Sequence, residues 1–514
     1  MIGLIRGPDA GPPPARTVAA ALRAQAADHR PWLTFHRGSS AHALSFAEAH
    51  ALARRWASAL RQAGVRPGDR VAVIQPNDAG FAGAFFGAQL AGATPVPLAF
   101  PVVAAAGERN YALLASQVAC AEVTAIAAHP DFTAASRFGP RVVTGPDVSE
   151  SPVEDGYDQQ PAFLQFTSGT TGAPRGAVIS QRAAIASAHA MGLALGLGPS
   201  DIGVSWLPLF HDMGLVGVLL CSLIFRFPIH LLSPAEFLLR PARWLELLAA
   251  TRATLTVAPN FGYELAVRRV RGDFDLSHLR RALNGSEPVQ RATLDGFERR
   301  FGAAPGTVLP VYGLAENTLG VAFSDGSPDI EVLGRAVPSV GRPLPGVEVC
   351  APRDEPGEIL VRSPALMSGY FRDPEATALA LRDGWLHTGD LGVIRDGRLY
   401  ITGREKDLVI KGGRKFQPYD IERVAADAVD SPPGGVAAFS VANDATGTED
   451  LIVLAELRRR TGDDEAVRVI RGRLLEELGV RPDHVRLFGP GALPRTTSGK
   501  VRRRACADLY RGLQ

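Results

Sequence analysis

Short, almost continuously apolar stretches recur along this sequence, at 70–74, 162–166, 230–232, 254–257 and 308–312, with helix-patterned segments between them. A strand that is apolar on both faces has to be covered on both, and helical crossovers between parallel strands do that. The alternation therefore predicts an α/β fold of layered, largely parallel sheets. Ser45-Phe46-Ala47-Glu48 is a capping box that opens a helix running toward Gln62. Gly64 ends it, and Pro67-Gly68-Asp69 turns the chain into the strand at 70–74. After Gly357 the texture changes to short strands, at 358–362, 398–402 and 407–411. The C-terminal part reads as a small α+β unit, with a helix from Tyr419, strands at 436–441 and 451–457, and a helix at 464–478. The predicted organisation is a large N-terminal domain of layered α/β subdomains, 1–403, and a small α+β C-terminal domain, 404–514. The boundary falls at Gly403-Arg404-Glu405-Lys406-Asp407.

The 514 residues are 46% hydrophobic and 21% charged, enough for several globular units. A net charge of +2 gives no global field that would draw nucleic acid or a membrane. Cys120, Cys221, Cys350 and Cys506 lie far apart and form no Cys-x-x-Cys pair. That argues against a disulfide framework or a zinc site and for reduced thiols in the cytoplasm. The N-terminus carries no apolar run of signal-peptide length. The most apolar run, 216–225, is about half of what a bilayer span needs and reads as a buried helix, so no transmembrane segment is expected.

Five segments carry chemistry. Phe166-Thr167-Ser168-Gly169-Thr170-Thr171-Gly172-Ala173-Pro174-Arg175-Gly176 follows an apolar strand. Its glycines let backbone N–H groups approach a polyphosphate, its hydroxyls add donors, and Arg175 adds charge. It is not the GxxxxGK[ST] pattern, so a P-loop NTPase is unsupported. Val311-Tyr312-Gly313-Leu314-Ala315-Glu316 puts a carboxylate at a strand end, where it can hold Mg²⁺ on a nucleotide. Asp390, in Gly384-Trp385-Leu386-His387-Thr388-Gly389-Asp390, can accept hydrogen bonds from ribose hydroxyls. The fourth segment is Gly403 to Asp407, and the fifth is Pro494-Arg495-Thr496-Thr497-Ser498-Gly499-Lys500, where a loop lysine can meet developing negative charge. Singly, each fits an ordinary surface loop, turn or solvated charge as well.

Together, in this order and at these separations, they resemble the adenylate-forming superfamily of acyl-CoA synthetases, luciferases and nonribosomal peptide adenylation domains. The resemblance runs from Thr17 to Arg504. It implies a large domain that binds ATP and a carboxylic acid, under a small mobile C-terminal domain. It further implies that Thr167 to Gly172 and Arg175 wrap the β- and γ-phosphates. Asn284, Gly285 and Ser286 would lie beside the adenine with Tyr312, and Glu316 with Thr167 would hold Mg²⁺. Asp390 and Arg404 match the ribose-binding residues, Lys406 the hinge, and Lys500 the lysine that completes the adenylation site.

Some spellings narrow the branch. Leu207-Pro208-Leu209-Phe210-His211-Asp212-Met213-Gly214, Pro259-Asn260-Phe261, Asn284 to Pro288, and Ala315 within the Tyr-Gly-x-x-Glu motif resemble fatty acyl-AMP ligases. Enzymes of that branch pass the acyl group to a carrier protein. The branch also implies a long insertion after Glu316, yet only residues 317–340 precede Gly341. An acyl-CoA ligase is therefore the alternative. Amino-acid-activating relatives place Asp where His211 stands here, so the acid is expected to be apolar. His211, Asn260 and Gly313 are the expected substrate contacts. Residues 215–220 either line an acyl pocket or are plain core. The basic run Arg502-Arg503-Arg504 either steers an acidic carrier or is a solvated helix face.

Overall fold

The computed structural model describes residues 2–101, 107–146, 159–167, 174–332, 335–411, 414–432, 434–443, 448–458, 462–495 and 501–513. The chain divides into two compact units. The first comprises Met1–Ala351, Leu360–Thr388 and Ile394–Tyr400; the second comprises Pro352–Ile359, Gly389–Val393 and Ile401–Gln514.

The first unit is built on parallel strands, as an alternation of apolar strands and helices requires. Pro31–Arg37, Ile229–Leu231, Gly203–Ser205, Leu255–Ala258, Arg281–Asn284 and Val308–Gly313 lie side by side in that order, each neighbour parallel to the next. The later strands Gly320–Phe323 and Ser339–Pro343 join antiparallel, the first after the short 3₁₀ turn Ala315–Asn317 rather than a helical crossover. A second parallel sheet holds Thr94–Pro97, Arg70–Ile74, Ala125–Ala128 and Arg141–Val143. The capping box forms with both reciprocal bonds, and its helix spans Phe46–Gln62. That helix packs on Ala79–Leu90 at very short range. A Cβ on Gly83 would lie 2.5 Å from Trp56 Cδ1, and one on Gly87 2.9 Å from the Ala53 carbonyl oxygen.

The run expected as a buried helix at 216–225 is helical and buried, but its winding differs. Met213–Leu220 is a π-helix that passes into an α-helix at Cys221–Phe225. A segment buried on every side carries no hydrophobic period from which its winding could be read. Gly214 permits the entry: a Cβ there would lie 2.2 Å from the Pro208 carbonyl oxygen. No helix among the described residues is long and apolar enough to cross a membrane.

Asn77 fastens the segment ahead of this helix. Its Nδ2 donates to the carbonyls of Leu207 (2.8 Å) and Leu232 (3.0 Å), and its Oδ1 accepts from Leu209 N at 3.0 Å. All three leucines are buried. Asn77→Ala is expected to cost about 2–4 kcal/mol, because buried backbone groups lose their partners. A urea midpoint that hardly moves would show that water replaces the side chain.

In the second unit Val436–Asn443 and Thr448–Glu456 pair antiparallel, and His484–Phe488 joins parallel. Alternate side chains face opposite ways, as a strand dictates. Val436 and Ala438 join Ile421, Val424, Ile470 and Leu474 on one face, beneath helices Pro418–Ala428 and Asp463–Leu478. Ala437 and Phe439 join Cys506 and Tyr510 on the other, beneath Arg503–Arg511. Of the basic run, Arg502 and Arg504 are exposed. Arg503 instead faces inward, with Nε 2.7 Å from Glu422 Oε1 and Nη1 3.0 Å from Asp407 Oδ2. It fastens the last helix and is no steering charge.

Candidate active site

In the first unit the candidate residues collect where the parallel strands end. The register sets Ala258 beside Asn284, at the carboxyl ends of two adjacent strands, and Asn284 beside Pro310 within a third, Val308–Gly313. Asn260 opens the helix Asn260–Arg269 just beyond the first of these. Tyr312 and Gly313 end the third, followed by a 3₁₀ turn, Ala315–Asn317, that carries Glu316. The segment 206–212 leaves the strand Gly203–Ser205 at the same edge. Ligands of open α/β sheets bind at this edge, because chain reversals there leave a crevice rimmed by loops.

Buried polar groups at the edge are linked. Asn284 Nδ2 donates to Asn260 Oδ1 at 3.1 Å, and Gln290 N donates to the same oxygen at 3.2 Å. Asn284 is fully buried, and its Oδ1 has no hydrogen-bond partner among the described residues. Gly285 lies flat on the next strand, where a Cβ would approach Val311 O to 2.9 Å, and Ser286 takes φ +75°. Phe261 N donates to Glu287 Oε1 at 2.5 Å, which closes the loop back onto the helix start. His211 Nδ1 lies 2.6 Å from Asp212 Oδ1, so the imidazole has a carboxylate partner.

The hairpin Phe163–Thr167 and Arg175–Ile179 holds the two ends of the Gly/Ser/Thr loop, with Thr167 paired to Arg175. Ser168, Gly169, Thr170, Thr171 and Gly172 lie outside the described residues. The strand Phe163–Thr167 packs against the turn that carries Glu316. Gln165 Nε2 donates to the Phe210 carbonyl at 3.1 Å, which ties the hairpin to the His211 segment. After Glu316 the backbone is strained and over-determined. Thr318 takes φ +59° while its Oγ1 donates to the Ala365 carbonyl at 2.6 Å, and Asn317 Nδ2 donates to the Gly320 carbonyl at 2.7 Å.

Two neighbours of this cluster were not legible as site residues. Tyr370 Oη donates to Glu316 Oε1 at 2.8 Å, and Arg175 Nε lies 3.2 Å from Asp373 Oδ2. Burial and the adjacent Glu316 carboxylate push the Tyr370 phenol well above its ordinary range, so it remains a donor. In sequence, no residue of Gly369-Tyr370-Phe371-Arg372-Asp373 stands out as a candidate. Only the pairing of Tyr370 with Ala177 reveals where it sits.

The second unit brings two further candidates together. Arg404 Nε donates to Asp390 Oδ1 at 2.7 Å, with Asp390 buried and Arg404 55% exposed. Gly389 takes φ +67° within the strand Trp385–Arg395, immediately before Asp390. Lys406 is exposed in the 3₁₀ turn Glu405–Asp407. Lys500 lies outside the described residues, but both ends of its segment are fixed. Arg495 pairs with Val501, and Arg495 Nη2 lies 3.1 Å from the buried Glu456.

Among the described residues no group of three or more His, Cys, Asp or Glu side chains is arranged to hold a metal ion. A single carboxylate beside a hydroxyl-bearing strand end is nevertheless the donor set for Mg²⁺ when nucleotide phosphates complete its shell. Glu316 and Thr167 fit that description. The four thiols are free, and burial pushes Cys221 and Cys506 up to about 12, which leaves both unreactive.

Comparison with known proteins places this architecture. The family model for AMP-binding enzymes matches residues 22–371. A long-chain-fatty-acid–AMP ligase of Mycobacterium marinum is 35% identical over 542 residues, covering 92% of each chain. A putative acyl-CoA synthetase of Caulobacter vibrioides is 32% identical, covering 92% of this chain and 91% of its own. A solved structure from work on fatty acyl-adenylate ligases of E. coli and L. pneumophila matches with TM-score 0.86 at 32% identity, covering 98% of this chain and 99% of that one. With the family match over most of its length and such relatives across nearly all of it, the chain belongs to the AMP-binding enzyme family and is an AMP-forming ligase.

Proposed function

We propose that the chain activates a fatty acid with ATP to give acyl-AMP and pyrophosphate, then passes the acyl group to the phosphopantetheine thiol of an acyl carrier protein. The observation that carries the first half is the convergence of Asn260, Asn284, Tyr312 and Glu316 on one edge of the parallel sheet, beside the hairpin of the Gly/Ser/Thr loop. Residues 1–403 bind ATP and the acid in this reading, and 404–514 move between two half-reactions in the cytoplasm.

A carboxylate oxygen of the acid attacks the α-phosphorus, and the bond to the pyrophosphate oxygen breaks. No protein nucleophile is needed, so the protein works by positioning and by stabilising charge. Residues 167–172 and Arg175 hold the phosphates, and Asp390 with Arg404 orients the ribose. Asn284, Gly285, Ser286 and Tyr312 enclose the adenine. His211, Asn260 and Gly313 face the acid. When bound, Mg²⁺ supplies charge neutralisation at the phosphates, held by Glu316 and Thr167. Lys500 meets the negative charge that grows on the reacting phosphoryl group. In the second half-reaction the thiol sulfur attacks the acyl carbon, and AMP leaves.

One observation favours a second reading, transfer to free CoA. Between Glu316 and Gly341 the described residues form only the end of the turn Ala315–Asn317, the strand Gly320–Phe323, the hairpin of Ile330–Val332 with Arg335–Val337, and the start of Ser339–Pro343. Competition decides between them. Enzyme, ATP and a fatty acid are given free CoA and holo-carrier protein together, and both thioesters are quantified. A preference for the carrier of about tenfold or more is expected, a barrier difference of about 1.4 kcal/mol. Efficient acyl-CoA formation without preference establishes the CoA ligase instead.

A further inference from the structure

We infer that Tyr370 is a positioning residue that fixes the Glu316 carboxylate against the strand carrying Arg175. The inference rests on the reading above, in which Glu316 and Thr167 hold Mg²⁺ on the nucleotide. The hydroxyl of Tyr370 donates to Glu316 Oε1 at 2.8 Å, while the Arg175 guanidinium lies 5.7 Å from the centre of its ring. One side chain therefore touches both the carboxylate and the cation of the site. Asp373, three residues on, accepts the charge of Arg175 at 3.2 Å.

The backbone around Tyr370 leaves it little freedom. Ser368 N donates to the Val178 carbonyl at 2.9 Å, Val178 N to the Gly369 carbonyl at 2.9 Å, and Phe371 N to the Gly176 carbonyl at 2.8 Å. These bonds lace 368–371 along the strand Arg175–Ile179. Met367 N donates to the Glu316 carbonyl at 2.8 Å, and Tyr370 N to Thr377 Oγ1 at 2.8 Å. Tyr370 is thus held by main chain to both of the elements that its side chain bridges. A carboxylate on a short 3₁₀ turn can rotate, and rotation has to be lost when a metal binds. A donor already fixed in place removes that cost beforehand, which is how outer-shell partners tune metal affinity.

Calorimetry of ATP binding to the full chain, with and without Mg²⁺, tests this. Tyr370→Phe keeps the ring under Arg175 and removes only the O–H. The Mg²⁺-dependent gain in ATP affinity is expected to fall by about tenfold, the lower range for loss of an outer-shell partner. Affinity for metal-free ATP should stay near wild type. In ATP–pyrophosphate exchange, half-saturating Mg²⁺ should rise by the same factor while kcat at saturating Mg²⁺ is retained. Adding Tyr370→Phe to Glu316→Gln should cost nothing further, since the tyrosine acts only through that carboxylate. A wild-type Mg²⁺ response in Tyr370→Phe, or additive losses in the double variant, overturns the inference alone. A wild-type chain whose ATP affinity ignores Mg²⁺ overturns the metal role of Glu316, and this inference with it, before any variant is made.

Discussion

Lys500→Ala is expected to slow acyl-adenylate formation by about 10²–10³-fold, the usual loss when one preorganised charge partner of a transition state is removed. The acid attacks without help from a protein nucleophile, so the barrier depends on how well charge on the phosphoryl oxygens is met as it grows. A cation that arrives only at the reacting phosphate acts on the transition state more than on bound ATP, so kcat should fall further than ATP affinity. The segment that carries Lys500 is fixed at both ends by bonds that do not involve it. Arg502 N donates to the Pro494 carbonyl at 2.9 Å, and Glu456 accepts from both Leu493 N (2.8 Å) and Arg495 (3.1 Å). The unfolding midpoint should therefore hardly move. ATP–pyrophosphate exchange measures the effect directly. Exchange within a few-fold of wild type would remove Lys500 from the mechanism.

Much of the scaffold is legible where local chemistry forces one answer. The capping box at Ser45, the strand Arg70–Ile74 and the helix Asp463–Leu478 follow from side-chain hydrogen bonding and hydrophobic pattern alone. The π winding of Met213–Leu220 is not legible, because it depends on how Gly214 meets Pro208. The inward turn of Arg503 is not legible either. Three consecutive arginines look alike until Glu422 and Asp407 are brought to one of them from distant parts of the chain. The same holds for the site. Glu316, Asp390 and Arg404 stand in recognisable spellings, and the pairing of the last two emerges only from strands that bring them together. Tyr370 has no spelling of its own, since its place is set by main-chain pairing to the strand Arg175–Ile179.

Lys406→Pro should separate the two half-reactions. Arg404 is tied to Asp390 and Asp407 to Arg503, while Glu405 and Lys406 between them are exposed. A hinge needs such a place, where backbone angles can change without breaking packed contacts. Just upstream, Gly403 takes φ +154°, and a Cβ there would lie 2.0 Å from Gln417 Oε1, so that residue is held by close approach. Proline fixes φ near −65° and disfavours helical angles in the residue before it. The φ of a 3₁₀ turn falls in the range proline adopts, so the variant should fold. Adenylation should stay within a few-fold of wild type if one orientation remains accessible. Thioester formation should fall by about 10²-fold, roughly 2.7 kcal/mol of barrier, if the other is blocked. Pyrophosphate release and thioester yield, followed in the same single-turnover reaction, give the two rates separately. Equal losses in both would mean that Lys406 shapes a single active conformation, and the hinge would have to be sought elsewhere in the chain.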